Sequence, residues 1–86
     1  MRVRIPSPLH SYTAGAADVE AAGASLDEVL VHLDGRFPGL RFRVIDEQDR
    51  IRPHIRFFVA GAMARSVAHP VGPGDEVMIV AALSGG

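Results

Sequence analysis

The residues of this chain that could take part in chemistry stand at its carboxyl end: Leu83, Ser84, Gly85 and Gly86. Leu83 ends the most apolar run of the sequence, VMIVAAL, and the other three residues follow it directly, whereas a chain end that frays is usually polar. Gly85 and Gly86 have no Cβ, so the backbone of another protein can close tightly around them. A carboxylate is a poor electrophile until a good leaving group replaces its charge, so a reaction at Gly86 requires activation.

Other reactive groups are scarce or poorly spaced. Without cysteine, the chain has no disulfide framework, no thiolate zinc site and no cysteine nucleophile. We expect no metal site, because the histidines lack the close spacing of a metal motif: His10, His32, His54 and His69. Ser7, Ser11 and Ser66 have no evident base partner, so nucleophilic catalysis has no support in the sequence.

Length and composition predict one small globular domain. The chain has 86 residues, of which 48% are hydrophobic and 22% charged, which is too apolar for disorder. All nine basic residues are arginine, and the net charge of −1 favours neither nucleic acid nor an anionic membrane. The arginines between 41 and 56 alternate with acidic residues, which indicates a solvated loop. No signal peptide or membrane-spanning run is evident, and we expect a cytoplasmic protein.

Hydrophobic periodicity predicts a strand-rich chain with one clear helix. RVRIP and ADVEAAG are predicted as a hairpin of two strands, joined by a loop, SPLHSYTAGA. In SLDEVLVHLDGRF, Ser25 and Glu28 form a capping box at the start of a helix. One apolar stripe follows at helical spacing: Leu26, Val29, Leu30, Leu33 and Phe37.

The second half of the sequence predicts further strands. HIRFFVAG and VMIVAAL are strands, MARSV is a short edge strand, and turns are expected at Ala60-Gly61 and at GPGDE. LRFRVIDEQDRIRP is ambiguous, with room for one short helical turn. The order β-β-α-β-(β)-β predicts an α+β fold, in which a mixed sheet of four to five strands carries the helix on one face.

Strand parity predicts an exposed sheet face. Val77 and Ile79 are expected to pack under the helix together with Val3, Ile5, Ile55 and Phe57. The opposite face then carries Phe58, Met78 and Val80 with Arg2, Arg4 and Arg56. Because an exposed apolar patch suggests a partner site, we predict that a partner binds Phe58, Met78, Val80 and Arg56.

This arrangement resembles the MoaD/ThiS family of ubiquitin-like sulfur carriers. The matching segments are RIPSPL, SLDEVLVHLDGRFPGL, HIRFFVAG and GDEVMIVAALSGG, so the resemblance covers essentially the whole chain. It implies a single β-grasp domain over residues 1–86, with a flexible tail at 82–86. RIPSPL followed by TAG looks most like the CysO-type branch, which serves cysteine synthesis. The chain departs from the family pattern at Ala81-Ala82, at Ser84 and at Ala60-Gly61.

The resemblance implies a carrier protein rather than an enzyme. An activating enzyme would join the Gly86 carboxylate to AMP with MgATP, and a sulfur donor would then form a thiocarboxylate. Gly85 would give access, while Ser84 and Leu83 belong to the threaded tail; residues 82–86 span roughly 16 Å if extended. A sulfur-accepting enzyme, cysteine synthase-like or the large subunit of molybdopterin synthase, would use the sulfur for cysteine, molybdopterin or thiamine. We expect no bound cofactor and a monomer when free.

Three alternatives remain open from the sequence. The chain could be the small subunit of molybdopterin synthase, a ubiquitin-like modifier that is conjugated to lysines, or an interaction module in which the two glycines are incidental. Because the chain has no lysine, an activated tail cannot join its own side chains. Because it has no cysteine, sulfur has only the carboxyl end to occupy.

Overall fold

The computed structural model describes residues 1–82 of the chain. Within this range the elements are β1 (Arg2–Arg4), a 3₁₀ turn (Ser7–Leu9), β2 (Asp18–Glu20), α1 (Leu26–Arg36), α2 (Leu40–Val44), β3 (Ile55–Val59), β4 (Ala62–Ala64) and β5 (Val77–Ala81). The strands form a five-stranded sheet in the order β2-β1-β5-β3-β4. β1 and β5 run parallel, and the other neighbouring strands are antiparallel. The prediction of an α+β fold, a β-grasp with one main helix, is confirmed.

The core lies between α1 and the inner face of the sheet. Alternation along the strands buries one side chain in two, as predicted, including Val3, Phe57 and Ile79. The predicted helix stripe is fully buried at Leu26, Val29, Leu30 and Leu33. Burial of each such side chain contributes about 1.5–3 kcal/mol relative to exposure, so α1 is held by the sheet rather than by its own propensity.

Both ends of α1 differ in detail from the prediction. Ser25 caps the helix, since its hydroxyl accepts from the Glu28 N–H at 3.2 Å. The Glu28 carboxylate accepts from the N–H of Ala24 at 3.1 Å rather than from that of Ser25, so the reciprocal bond reaches one residue further back. Phe37 was predicted within the apolar stripe, but α1 ends at Arg36 and Phe37 is its half-buried C-cap.

The segment between β1 and β2 is more ordered than the predicted loop. It contains the 3₁₀ turn, and Leu9 and Thr13 are buried. The Thr13 hydroxyl donates to the carbonyl of Ala16 at 2.8 Å, which satisfies a polar group inside the core. The β1–β2 hairpin itself is confirmed, with Val3 opposite Val19.

The β3–β4 hairpin turns at Ala60-Gly61, as predicted. Both residues have positive φ, 50° at Ala60 and 86° at Gly61, the signature of a type I′ turn. Glycine adopts this backbone at no steric cost, whereas alanine does not. The two-residue turn sets the hairpin register and places Met63 opposite Phe58.

Arg41 was predicted in a solvated loop, and this prediction is wrong. Its side chain, 23% exposed, donates to Asp27 at 2.7 Å and to Asp49 at 3.1 Å. The hydrogen bond from Arg41 to Asp27 raises the pKa of the guanidinium. Arg41 therefore ties α2 to α1 and to the turn that follows α2.

Candidate functional site

The carboxyl end of β5 is the point from which the tail departs. Ala81 lies opposite Ile55 on β3, and the N–H of Ala82 donates to the carbonyl of His54 at 2.8 Å. β5 is bonded on one side by β1 and on the other by β3, so it is a central strand of the sheet. The predicted tail residues Leu83, Ser84, Gly85 and Gly86 lie outside the described residues.

The predicted partner face forms a contiguous row on the outer side of the sheet. Phe58 lies opposite Met78, and Arg56 lies opposite Val80. Phe58, Met78 and Val80 are half-buried although the helices cover only the other face of the sheet. These side chains therefore form an apolar surface at the two strands that border the tail.

Sequence reasoning missed Met63 as a member of this surface. Met63 lies opposite Phe58 across the β3–β4 hairpin and is 42% exposed. The sequence did contain a sign of this, because a two-residue turn at Ala60-Gly61 pairs the residues on either side of it in a fixed register and so places Met63 opposite Phe58. We refer to Phe58, Met63, Met78 and Val80 together as the outer patch.

Arginine side chains flank the outer patch, as strand parity predicted. Arg2 donates to Glu76 with its Nε at 2.9 Å, and this bond, together with the charge of Glu76, raises the pKa of Arg2. Arg4 on the same strand lies 3.6 Å from a carboxylate oxygen of Asp18. Arg56 differs, since its Nη1 donates to the carbonyls of Pro53 and Ile55 and it forms no ion pair with another residue in 1–82.

The remaining polar residues serve local structure. His32 accepts from the N–H of Ala22 at 2.9 Å, and a ring nitrogen of His10 lies 2.9 Å from the carbonyl of Ile5. Across residues 1–82, no three His, Asp or Glu side chains converge as a metal site would require. In the same part of the chain, none of the helices is both long and apolar enough to cross a membrane.

Comparison with known proteins agrees with this geometry. The profile of the ThiS family matches residues 3–86. The sulfur carrier protein CysO of Mycobacterium tuberculosis is 29% identical over 98% of this chain and 96% of its own length. A chain in the crystal structure of the Amycolatopsis orientalis BexX/CysO complex superposes with a TM-score of 0.92, at 30% identity over 99% of this chain and 98% of that one.

One further similar structure is of a protein that is named a modifier. The crystal structure of SAMP1 from Haloferax volcanii superposes with a TM-score of 0.77, at 26% identity over 99% of this chain and 97% of that one. Its full name, small archaeal modifier protein 1, describes a modifier rather than a carrier. The fold is thus shared by carriers and modifiers, while the family profile covers this chain almost from end to end. The chain belongs to the ThiS family of ubiquitin-like sulfur carriers, and its resemblance is to the CysO type.

Proposed function

We propose that the chain carries sulfur as a thiocarboxylate on Gly86. An activating enzyme joins the Gly86 carboxylate to the AMP part of MgATP and releases pyrophosphate. A sulfur donor then attacks the acyl carbon, AMP leaves with the electron pair of the broken bond, and a C–S bond replaces it. The thiocarboxylate sulfur then bonds to the substrate of an acceptor enzyme, water attacks the acyl carbon, and the C–S bond breaks, so that the sulfur stays with the acceptor and the Gly86 carboxylate is restored. The chain is a co-substrate of both enzymes and needs no bound cofactor.

The observation that carries this proposal is the central position of β5. β3 pairs with β5 from Val77 to Ala81, β1 pairs with it at Val77 and Met78, and the N–H of Ala82 donates to the carbonyl of His54 just beyond the strand. The four residues that follow would reach roughly 13 Å if extended. A tail of that reach, ending on two residues without Cβ, suits a narrow nucleotide site on another protein.

We assign roles to the tail and the outer face on the same basis. Gly86 is the reacting residue, and Gly85 allows close approach of the enzyme backbone. Leu83 and Ser84 belong to the part of the tail that is threaded into the enzyme. The outer patch and Arg56 would contact the enzyme while the tail is threaded. Support for this comes from their position on β5 and on the β3–β4 hairpin that pairs with it, since His54, just before β3, is bonded to Ala82.

The similarity to CysO favours cysteine synthesis as the use of the sulfur. The acceptor is then a cysteine synthase-like enzyme, in preference to the large subunit of molybdopterin synthase or an enzyme of thiamine synthesis. That a similar chain was crystallised in the BexX/CysO complex supports a partner protein for this chain. A stable complex with a pterin-binding subunit would instead favour the molybdopterin role.

Intact-mass measurement tests the carrier function directly. The purified chain is incubated with a candidate activating enzyme, MgATP and a sulfide source. We expect a mass increase of one sulfur-for-oxygen exchange, which is lost in a chain that lacks Gly86. This deletion leaves every residue in 1–82 unchanged, so loss of folding is a poor explanation for a negative result. An unchanged mass with each plausible activating enzyme would contradict the proposal.

A second candidate function is conjugation to other proteins. The likeness to SAMP1 of Haloferax volcanii favours it, because that protein is named a modifier and shares the fold. The same activated Gly86 would then form amide bonds with target lysines. Covalent adducts of higher mass in cell extracts, lost on deletion of Gly86, would support the modifier function, whereas unimpaired function without Gly85 and Gly86 would favour an interaction module.

A further inference from the structure

The arginines on the outer side of the sheet fall into two groups. On the β1 side, Arg2 is bonded to Glu76 and Arg4 lies beside Asp18. On the β3–β4 side, none of the arginines forms an ion pair with another residue in 1–82. We refer to Arg56 and Arg65 of this side, together with Arg52 in the segment before β3, whose guanidinium lies over the Phe42 ring of α2, as the arginine edge. The chain as a whole has a net charge of −1, so the arginine edge is a local excess of positive charge.

The arginine edge lines a surface hollow near the end of β5, since Ile55 in its lining lies opposite Ala81. The hollow has a volume of about 240 Å³, and its lining includes all three arginines together with Pro53, Ile55 and Met63. The backbone carbonyl of His54 accepts a hydrogen bond from the N–H of Ala82. His54 lies between Pro53 and Ile55 in the sequence. The positive charge therefore lies beside the point where the chain leaves the sheet.

The arginine edge is continuous with the outer patch. Met63 lines the hollow and also lies opposite Phe58, so the apolar and basic surfaces share a residue. Arg56 borders both, since it lies opposite Val80 on the outer face and reaches the hollow. A protein docked on the outer patch with access to the tail would cover the arginine edge as well.

The guanidinium groups of the arginine edge keep donors available for a partner. Each guanidinium has five N–H donors in a planar arrangement that matches a carboxylate. Arg52 uses its Nε for the carbonyl of Phe42 at 2.7 Å, and Arg56 uses one nitrogen for backbone carbonyls. Arg65 donates to no other residue in the described part of the chain. Covering such groups without an anion would carry a large desolvation cost.

We infer that the activating enzyme, which takes the tail into its nucleotide site, presents an acidic segment, rich in Asp or Glu, to the arginine edge. This inference rests on the proposed function, because that function supplies the partner. The outer patch forms the apolar centre of the contact, and the arginine edge orients the partner so that the tail enters its site. Charges at such a border act mainly on the association rate, since they steer the encounter over about a Debye length.

Single-stranded RNA or a second copy of the chain could also bind the arginine edge. Single-stranded RNA could use the same charge, although three arginines in a chain of net charge −1 make a small phosphate-binding surface. A second copy could offer Asp18 and Glu20 of β2, which are exposed at the opposite edge of the sheet. Concentration-dependent sedimentation and RNA titration measure these two outcomes.

The decisive variants remove equal charge from the two groups. Arg56→Gln/Arg65→Gln alters the arginine edge, and Arg2→Gln/Arg4→Gln is the matched control; each takes the net charge from −1 to −3. Arg52 is left in place because it lies over the Phe42 ring at 4.7 Å and supports α2. Thermal melts of both variants check that the fold is retained.

Association with the activating enzyme is then followed over a range of salt concentrations. For Arg56→Gln/Arg65→Gln we expect the association rate constant at low salt to fall about threefold to tenfold, with a weaker salt dependence. The control should change it by less than twofold, because the charge it removes lies about 10 Å or more from the arginine edge, which is about a Debye length. Equal effects of the two variants, or no effect of the first, would overturn the inference. So would RNA binding or self-association that is stronger than enzyme binding and lost in the Arg56→Gln/Arg65→Gln variant.

Two further measurements separate this inference from the carrier function. If arginine-dependent binding occurs without sulfur exchange, the carrier function fails and the inference stands. If sulfur exchange proceeds at an unchanged rate in Arg56→Gln/Arg65→Gln, the inference fails and the carrier function stands. An amide-resolved NMR titration with hexaglutamate needs no enzyme. It should shift residues 52–65 in the wild type and not in the variant, and absence of those shifts would count against the inference.

Discussion

Gly23→Ala should strongly destabilise the protein because the linker between β2 and α1 touches the helix backbone at Gly23. A Cβ at this position would lie 2.6 Å from the backbone nitrogen of Val29 and 2.9 Å from the carbonyl carbon of Glu28. Neither atom can rotate away, because Val29 N–H is bonded to the carbonyl of Ser25 in the first turn of α1. The linker is also bonded to the same helix, since Ala22 N–H donates to His32 of α1 at 2.9 Å.

The cost of the added methyl group can be estimated from overpacking. A forced backbone shift in a packed region costs about 1–3 kcal/mol, and because the hydrogen bond from Ala22 to His32 holds the linker against α1, we expect Gly23→Ala to cost about 2–3 kcal/mol. For a domain of this size, that loss lowers the Tm by roughly 10–20 °C. The fold is expected to remain the same at low temperature.

Gly35→Ala is the matched control, because it makes the same chemical change within α1, the helix that Gly23 contacts. A Cβ at Gly35 would meet nothing within 4 Å. Alanine is the better helix former, so we expect a gain of about 0.5–1 kcal/mol and a Tm a few degrees higher. Urea unfolding followed by far-ultraviolet circular dichroism gives the free energy of unfolding of each variant, with an unchanged m value as the check on two-state behaviour. If Gly23→Ala were as stable as the wild type, the close approach of linker and helix would be refuted.

Three further predictions address the partner surface, the β3–β4 turn and pH. Phe58→Ser should lower kcat/KM for sulfur loading about tenfold or more, since buried aromatic anchors dominate contacts. Val31→Ser, which removes a 56% exposed apolar side chain from α1, should leave kcat/KM unchanged. An equal loss of kcat/KM in the two variants would argue against docking on the outer patch. Ala60→Asn should stabilise by about 0.5–1 kcal/mol, because asparagine tolerates the positive φ, while Ala62→Asn in β4 should not; urea unfolding distinguishes the two. Hydrogen bonds from the Arg50 and Gln48 N–H groups hold the pKa of Asp46 below its ordinary value of 3.8. The contribution of ionised Asp46 is therefore complete above pH 3.8 and is lost as pH falls through the lower folded value, so the stabilities of wild type and Asp46→Asn should converge in acid. A difference that stays constant with pH would contradict this reasoning.

The elements that could be predicted from the sequence are those with local causes. The Ser25 cap and the stripe of α1 are defined within a few residues, as is the turn at Ala60-Gly61. The alternation of β3 was enough to place Phe58 on the outer face. The 3₁₀ turn was missed because three residues are too few for a periodic pattern, although Leu9 is buried in the core.

The interpretation of Arg41 shows why charge patterns mislead. Arginines and acids alternate through residues 41–56, which is typical of a solvated segment. Arg41 is instead partly buried, because Asp27, 14 residues earlier, meets it where α1 and α2 pack. The pairing partner belongs to another element, so spacing within the segment carries no sign of it.

By itself, the sequence determined the α+β class, the parity of the strands and the carboxyl-terminal glycines on which the proposed chemistry depends. These follow from period, capping and composition, which act over a few residues. Only the tertiary structure decided that β5 lies between β1 and β3, that Arg2 is bonded to Glu76 at a separation of 74 residues, and that the arginine edge meets the outer patch at Met63. These arrangements depend on which strands pair across the sheet, and that choice is made by burial of one shared core rather than by a local pattern.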